Sequence, residues 1–401
     1  MNIFREVQST LDGERLSENA PPTAQRSGLL LFVLPPLVAF LLARSLLTLV
    51  GALIGWNPNN PKSWLWHDAV HYLSIGFEGY FLLLPGRIVK GHILGNIWSD
   101  CAWFPGYPYL IRELSPSIEW SPAIALLISG AFALGTLYLL WYLLKPQWDG
   151  KGFLVLVAAA IFPCFLFMHA ISPVSVLLFI SLLFMMAMAR RRFVMATALA
   201  VVASFTYSTG FVLTGVAGLW LLLDREVPWK TKVLITACMG LFCIYTVELV
   251  FWIQNTQCHT EGAFFQAQAG FDNQGLSNPL TTLWRYTHRI MIRPGLIAQV
   301  PMMAGVLAIA IAAGFRNRKT WEPMDKLILV YCAVIFLFPL SVGTHPAPWA
   351  YGVQPWRPMA LMTPLALLLR RSPRWLIAGV LMVEVILAAA ALVRFAEGKL
   401  V

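Results

Sequence analysis

Charge is scarce in this chain of 401 residues: Asp, Glu, Lys and Arg make up 12%, hydrophobic residues 58%, and the mean hydropathy is +0.69. Such a balance excludes an ordinary water-soluble globular domain. Acidic residues are the scarcer sign, 19 against 29 basic ones, which leaves a net charge of +10. In so apolar a chain, Lys and Arg first mark the flanks of membrane helices, so the excess does not point to nucleic acid as a partner. The sequence also lacks an internal repeat, a low-complexity tract, zinc-finger cysteine spacing and a Gly-rich phosphate loop. No polar stretch is long enough to build a core of its own, so a separate nucleotide-binding domain is excluded and one integral domain remains.

What is present is a succession of apolar runs of membrane-spanning length or a little less. They predict helices near 28–54, 121–144, 152–168, 173–189, 193–207, 209–223, 231–253, 296–314, 325–343, 353–369 and 375–393, about eleven in all. "TYSTG" at 206–210 either breaks or kinks the stretch 193–223, and "CAWFPGYPYLIREL" at 101–114 is a candidate to dip into the bilayer. Residues 1–27 form a polar N-terminal segment with room for a short amphipathic helix, and 28–401 the integral membrane domain. The first apolar run is too long and too far in for a cleavable signal peptide and is expected to stay as an anchor.

With the N-terminus in the cytoplasm, short basic links bearing Lys145, Lys151, Arg190 to Arg192, Lys230, Lys232, Arg316, Arg318, Arg370 and Arg371 fall inside. The two long loops, about 55–120 and 254–295, then fall outside, and with them all seven histidines and the polar, aromatic-rich stretches. Candidate chemistry therefore belongs to the outer face. Cys164, Cys238, Cys243 and Cys332 lie in apolar runs as small fillers, whereas Cys101 and Cys258 both face out and could join the two loops in a disulfide.

The densest cluster is "WHDAVHYLSIGFEGY" at 66–80. On a helix Asp68 and His71 share a face, with Tyr72 one step on. This is either an interfacial helix with Trp66 and Tyr72 at headgroup level, or a carboxylate base with an imidazole beside it. Arg285, Arg289 and Arg293 in "WRYTHRIMIR" line one helical face, as a headgroup stripe or a lipid-phosphate clamp. Arg357, between two prolines in "QPWRP", is either an interface anchor or a phosphate contact, and His169 and His345 are cavity or loop residues. His67, Asp68 and His71 offer a weak metal set.

The first block, followed by "AWFPGYP", resembles the first external loop of PIG-V-type mannosyltransferases, the family of the second GPI mannosyltransferase within the GT-C superfamily. The matching positions are Trp66, Asp68, His71, Tyr72, Ile75, Gly79, Tyr80, Ala102, Phe104, Pro105, Tyr107 and Pro108. "ISPVS" at 171–175, "TYSTG", "EGAFFQAQ" at 261–268 and "QPWRPMALMTPLALLL" follow in the family's order. His67 separates the Trp and Asp that the family keeps adjacent, Tyr207 replaces an Arg, and "ISPVS" lacks the family's acidic residue.

This resemblance implies an all-α polytopic fold: a GT-C-like bundle of about eleven transmembrane helices with a long first external loop carrying short juxtamembrane helices. It further implies an inverting transfer of sugar, mannose by analogy, from a polyprenyl-phosphate-linked donor to a hydroxyl of a glycolipid, glycan or protein acceptor. Asp68 is the expected base, with His71 and Asp100 beside it as catalytic candidates. Trp66, His67, Tyr72, Tyr107, His169, Gln266, Arg289, Arg293, His345 and Arg357 are the expected substrate contacts. It fixes no cofactor, and a divalent cation, Mg2+ or Mn2+, could assist the phosphate. Competing readings are a transporter of lipid-linked sugars, a non-catalytic subunit of a glycosylation complex, or a hydrolase using Cys258 and His259. With no Asn-x-Ser/Thr sequon and no retrieval signal in "EGKLV", a bacterial inner membrane with a periplasmic site is expected, and the endoplasmic reticulum is the fallback.

Overall fold

The computed structural model describes residues 22–66, 68–83, 88–89, 92–93, 98–144, 150–272, 274–276, 278–281, 299–316, 319, 321–344 and 356–397. Most of the apolar runs expected to be helical are helical there, with two departures: the run 152–168 is broken at 161–165, and the run 325–343 ends in a short strand. The first, α1, runs Pro22–Leu53, with Pro35 and Pro36 inside it. The first external loop carries two short helices, α2 (Asp68–Phe77) and α3 (Gly106–Leu114). Next come α4 (Ser121–Leu143), α5 (Lys151–Ala160), the single turn α6 (Leu166–His169), α7 (Val174–Ala189), α8 (Phe193–Thr206) and α9 (Val212–Leu223). The last third holds α10 (Trp229–Cys258), α11 (Ala263–Asp272), α12 (Gln299–Arg316), α13 (Pro323–Leu340), α14 (Trp356–Leu361) and α15 (Arg374–Ala396).

Four helical stretches among the described residues are long and apolar enough to cross a membrane singly: Leu30–Leu53, Ile118–Leu143, Trp229–Cys258 and Arg374–Ala396. The others are shorter. α7, at 16 residues, rises only about 24 Å against a hydrocarbon core of about 30 Å. Its burial explains how it is tolerated: nearly every side chain from Val174 to Met188 is packed in protein, and α7 lies against α4, α8, α13 and α14 at the centre of the bundle. The "TYSTG" segment breaks the chain. Tyr207 is extended (φ −153°, ψ 143°) and a 3-10 turn, Ser208–Phe211, leads into α9. Gly210 lies against α8 so closely that a Cβ would stand 2.0 Å from the Ala203 carbonyl oxygen.

Among the described residues, three two-stranded ribbons add to the helices. β1 (Leu82–Leu83) pairs antiparallel with β4 (Trp98–Ser99), and β2 (Ile88–Val89) with β3 (His92–Ile93), so the first loop returns on itself and delivers Asp100 beneath α2. β5 (Gln274–Leu276) pairs with β6 (Val342–Thr344) and ties the second long loop to the segment after α13. The segment 101–114 forms α3, packed on α2, α4 and α8. Its first residue, Gly106, would bring a Cβ to 2.7 Å from the Thr206 Cα.

Ion pairs secure links expected on the inner side. Arg191 meets Asp224 at 3.2 Å and Glu226 at 2.6 Å. Buried Asp325 meets Arg370 at 2.7 Å and Arg371 at 3.2 Å, which fixes the start of α13 to the end of the 3-10 stretch Thr363–Arg371. Asp325 also completes a capping box with Glu322.

Candidate active site

The opposite end of α7 opens into a cleft, built first of aromatic packing. A 3-10 turn, Pro61–Trp64, is started by the Asn60 side chain accepting from the Lys62 N–H at 3.0 Å. It drives Trp64 into the bundle against Trp56 and Phe395, with centroids 4.8 and 5.5 Å away, and the Trp64 indole N–H donates to the Pro58 carbonyl at 2.8 Å. Trp66 is about half exposed at 49%, and α2 begins at Asp68. Asp68 is therefore in the first turn of a helix, where the macrodipole favours a carboxylate.

The cleft has an empty volume of about 340 Å³, its open mouth included, and is lined by Trp66, Asp68, Tyr72, Phe167, Ser172 and Arg357 among others. Asp68 and Arg357, 289 residues apart in sequence, form an ion pair in its wall. Their side chains are 17% and 24% exposed, so the pair is largely out of water yet reachable. The guanidinium lies over the Phe167 ring, 5.8 Å from its centroid, and also bonds to the Tyr207 hydroxyl. Burial pushes the Asp68 carboxyl up, but the Arg357 charge and a hydrogen bond from the Trp103 indole outweigh it and hold the group below the usual carboxylate range.

Behind this pair stands a second. His71 Nδ1 bonds to Asp100 Oδ1, and the imidazole stacks on Trp103 at 3.8 Å with 11° between the rings. Asp100 is 1% exposed, and its Oδ2 has no hydrogen-bond partner among the described residues. Burial raises the Asp100 carboxyl, with the bond from His71 opposing. The ribbon β1–β4 brings Asp100 to the His71 imidazole, which also lies near enough to Asp68 to act on its charge, and Trp103 links the two carboxylates by bonding one and stacking on the other's histidine.

The remaining expected contacts divide. Trp66, Tyr72 and Arg357 line the cleft with Asp68. Tyr107 does not; fully buried, its hydroxyl bonds to Ser129 Oγ at 2.9 Å and to the Ala125 carbonyl at 3.0 Å, which anchors α3 to α4. His169 packs between Phe40 and Phe165, one residue before the cleft-lining Ala170, and Gln266 donates to the Glu261 carbonyl at 3.0 Å on α11. His67, Arg289, Arg293 and His345 lie outside the described residues. Trp103, Phe167 and Tyr207 join the site beyond the candidates that the sequence offers. The signal for Trp103 was its place three residues after Asp100, inside the aromatic block.

No group of three or more His, Cys, Asp or Glu gathers to hold a metal ion among the described residues. Of the metal set that the sequence offers, His67 lies outside the described residues, Asp68 is engaged by Arg357 and His71 by Asp100.

Comparison with solved structures bears on the fold. The crystal structure of ArnT from Cupriavidus metallidurans in the apo state superposes with a TM-score of 0.50 at 16% identity, over 86% of this chain. The chain shares the helical membrane fold of that protein. It spans 59% of the length of ArnT. No protein-family model matches the chain, and comparison with curated proteins gives no match.

Proposed function

We propose that the protein is a membrane glycosyltransferase that moves a sugar from a polyprenyl-phosphate carrier to an acceptor hydroxyl at the non-cytoplasmic face. One observation carries this reading: the Asp68–Arg357 pair in an aromatic-walled cleft at one end of a GT-C-type bundle. A carboxylate suited to take a proton and a cation suited to take a phosphate stand side by side.

The chemistry follows from their charges. The acceptor oxygen attacks the anomeric carbon and gives its proton to Asp68. The bond from that carbon to the phosphate oxygen breaks, and the lipid phosphate leaves with the electron pair, inverting the anomeric centre. A positioned base contributes about 10² to 10⁴-fold in such a step, and a cation facing the developing phosphate charge in a partly dry site at least as much. Without donor, Arg357 keeps Asp68 ionised but weakly basic. A donor phosphate that draws the guanidinium to itself removes that restraint, so base strength rises once the leaving group is in place. His71, Asp100 and Trp103 position the Asp68 carboxylate from behind. Nucleotide sugars are cytoplasmic, so a site on the outer face requires a lipid-delivered donor.

Mannose is the first sugar to test, on the likeness of residues 66–80 to the PIG-V type, and the bacterial inner membrane is the compartment the sequence favours. Purified protein in liposomes should transfer sugar from a polyprenyl-phosphate hexose and not from a nucleotide sugar alone. Turnover with the nucleotide sugar, or passage of the lipid-linked sugar without product, would overturn the proposal.

A further inference from the structure

Away from the cleft, the structure brings two cysteines together across the two long loops. Cys101 follows Asp100 at the exit of β4, and Cys258 is the last residue of α10. Their Sγ atoms are 3.0 Å apart although 157 residues separate them in sequence. The surroundings fix this meeting from both sides. Tyr80 N–H donates to Gln257 Oε1 at 2.8 Å, Gln254 Nε2 donates to the Trp103 carbonyl at 3.1 Å, and the Tyr80 hydroxyl reaches the same carbonyl at 2.9 Å. Ile75, Tyr80, Cys101, Ala263 and Ala267 form a small apolar core there, with Cys258 packed against it. Cys101 is fully buried and Cys258 half-buried, so an oxidant reaches the pair through Cys258.

We infer that Cys101 and Cys258 form a disulfide in the mature protein, a covalent clamp that fastens the loop bearing Asp100 and Trp103 to the outer end of α10. The clamp rests on the placement of these loops at the non-cytoplasmic face, where disulfides form and persist. The exchange balances with an external disulfide as oxidant. The Cys258 thiolate attacks one sulfur of the oxidant and releases the other as a thiol. The Cys101 thiolate then attacks Cys258 Sγ and releases the second thiol, so both electrons and both protons leave with the oxidant. The clamp sits one residue from Asp100, and therefore acts on the His71–Asp100–Trp103 group that backs the catalytic carboxylate.

The test traps thiols in intact cells with an alkylating agent before lysis and maps the peptides by mass spectrometry. The chain has six cysteines. The denatured protein should expose two fewer alkylatable thiols before reduction than after, and one linked peptide should join Cys101 to Cys258. Cys258→Ser and Cys101→Ser should each abolish the link and leave the partner as an ordinary thiol. Reduced purified protein given oxidised glutathione should close the same link. Recovery of both cysteines singly alkylated, or a glutathione adduct on Cys258 that persists unresolved, would overturn the inference. Failure of the two proposals is separable: a linked peptide without sugar transfer keeps the clamp and sinks the reaction, and transfer with both thiols unlinked does the reverse.

Discussion

Replacing Asp68 by Asn separates the chemistry of the cleft from its architecture. The carboxamide keeps the shape and still accepts from Trp103, but it takes no proton and carries no charge for Arg357. Loss of the base should lower turnover about 10² to 10⁴-fold. Leaving a cation without its partner in a buried site costs about 3–5 kcal/mol. The side chains here are 17% and 24% exposed, so the lower end of that range applies. Both effects reduce apparent activity, and the double variant Asp68→Asn/Arg357→Gln distinguishes them. It should regain most of the lost thermal stability because no unpaired charge remains, while its turnover stays at the level of the single variant or below. The assay is transfer of labelled sugar from a polyprenyl-phosphate donor in detergent, with unfolding temperature measured on the same preparations. Turnover of Asp68→Asn within about tenfold of wild type, or recovery of turnover together with stability in the double variant, would refute the assignment of Asp68 as base.

Other outcomes follow from the same geometry. Tyr207→Phe removes a hydroxyl that Arg357 bonds, and should raise the KM for donor about threefold to tenfold with little change in kcat, read from donor titrations. The raised Asp100 carboxyl means that the folded protein holds this proton more tightly than the unfolded chain does. Its contribution to stability is present at low pH and is lost as pH rises from the ordinary carboxylate range, near 4, through the raised value. Asp100→Asn should flatten that fall in melting curves taken from about pH 4 to 7. Gly210→Ala would press a methyl group onto the Ala203 carbonyl at 2.0 Å and should destabilise by about 1–3 kcal/mol or more, seen as lower yield and melting temperature.

Apolar periodicity made the helical architecture legible, because each run that must satisfy its own backbone in lipid becomes a helix. It did not show which helices are short and shielded by neighbours: α7 reads like any other apolar run, and only its packing reveals that it is central. The ribbons were not legible, since strands of two or three residues carry no alternation to read. Asp68 and Arg357 could be picked as separate candidates from an acidic loop helix and a basic residue between prolines, but nothing in the spacing joins positions 289 apart. Helical spacing sets His71 beside Asp68, but local periodicity carries no sign of what a returning loop supplies, and here the loop adds Asp100 to the imidazole. Tyr107 shows another limit: motif membership does not tell which way an aromatic faces, and this one is buried, bonded to Ser129 and Ala125.

The most direct measurement is an experimental structure of the protein bound to a polyprenyl phosphate. The phosphate is expected on the Arg357 guanidinium, with the Asp68–Arg357 contact opened and the Asp68 carboxylate facing the sugar position. A phosphate bound elsewhere, with that ion pair intact, would contradict the account.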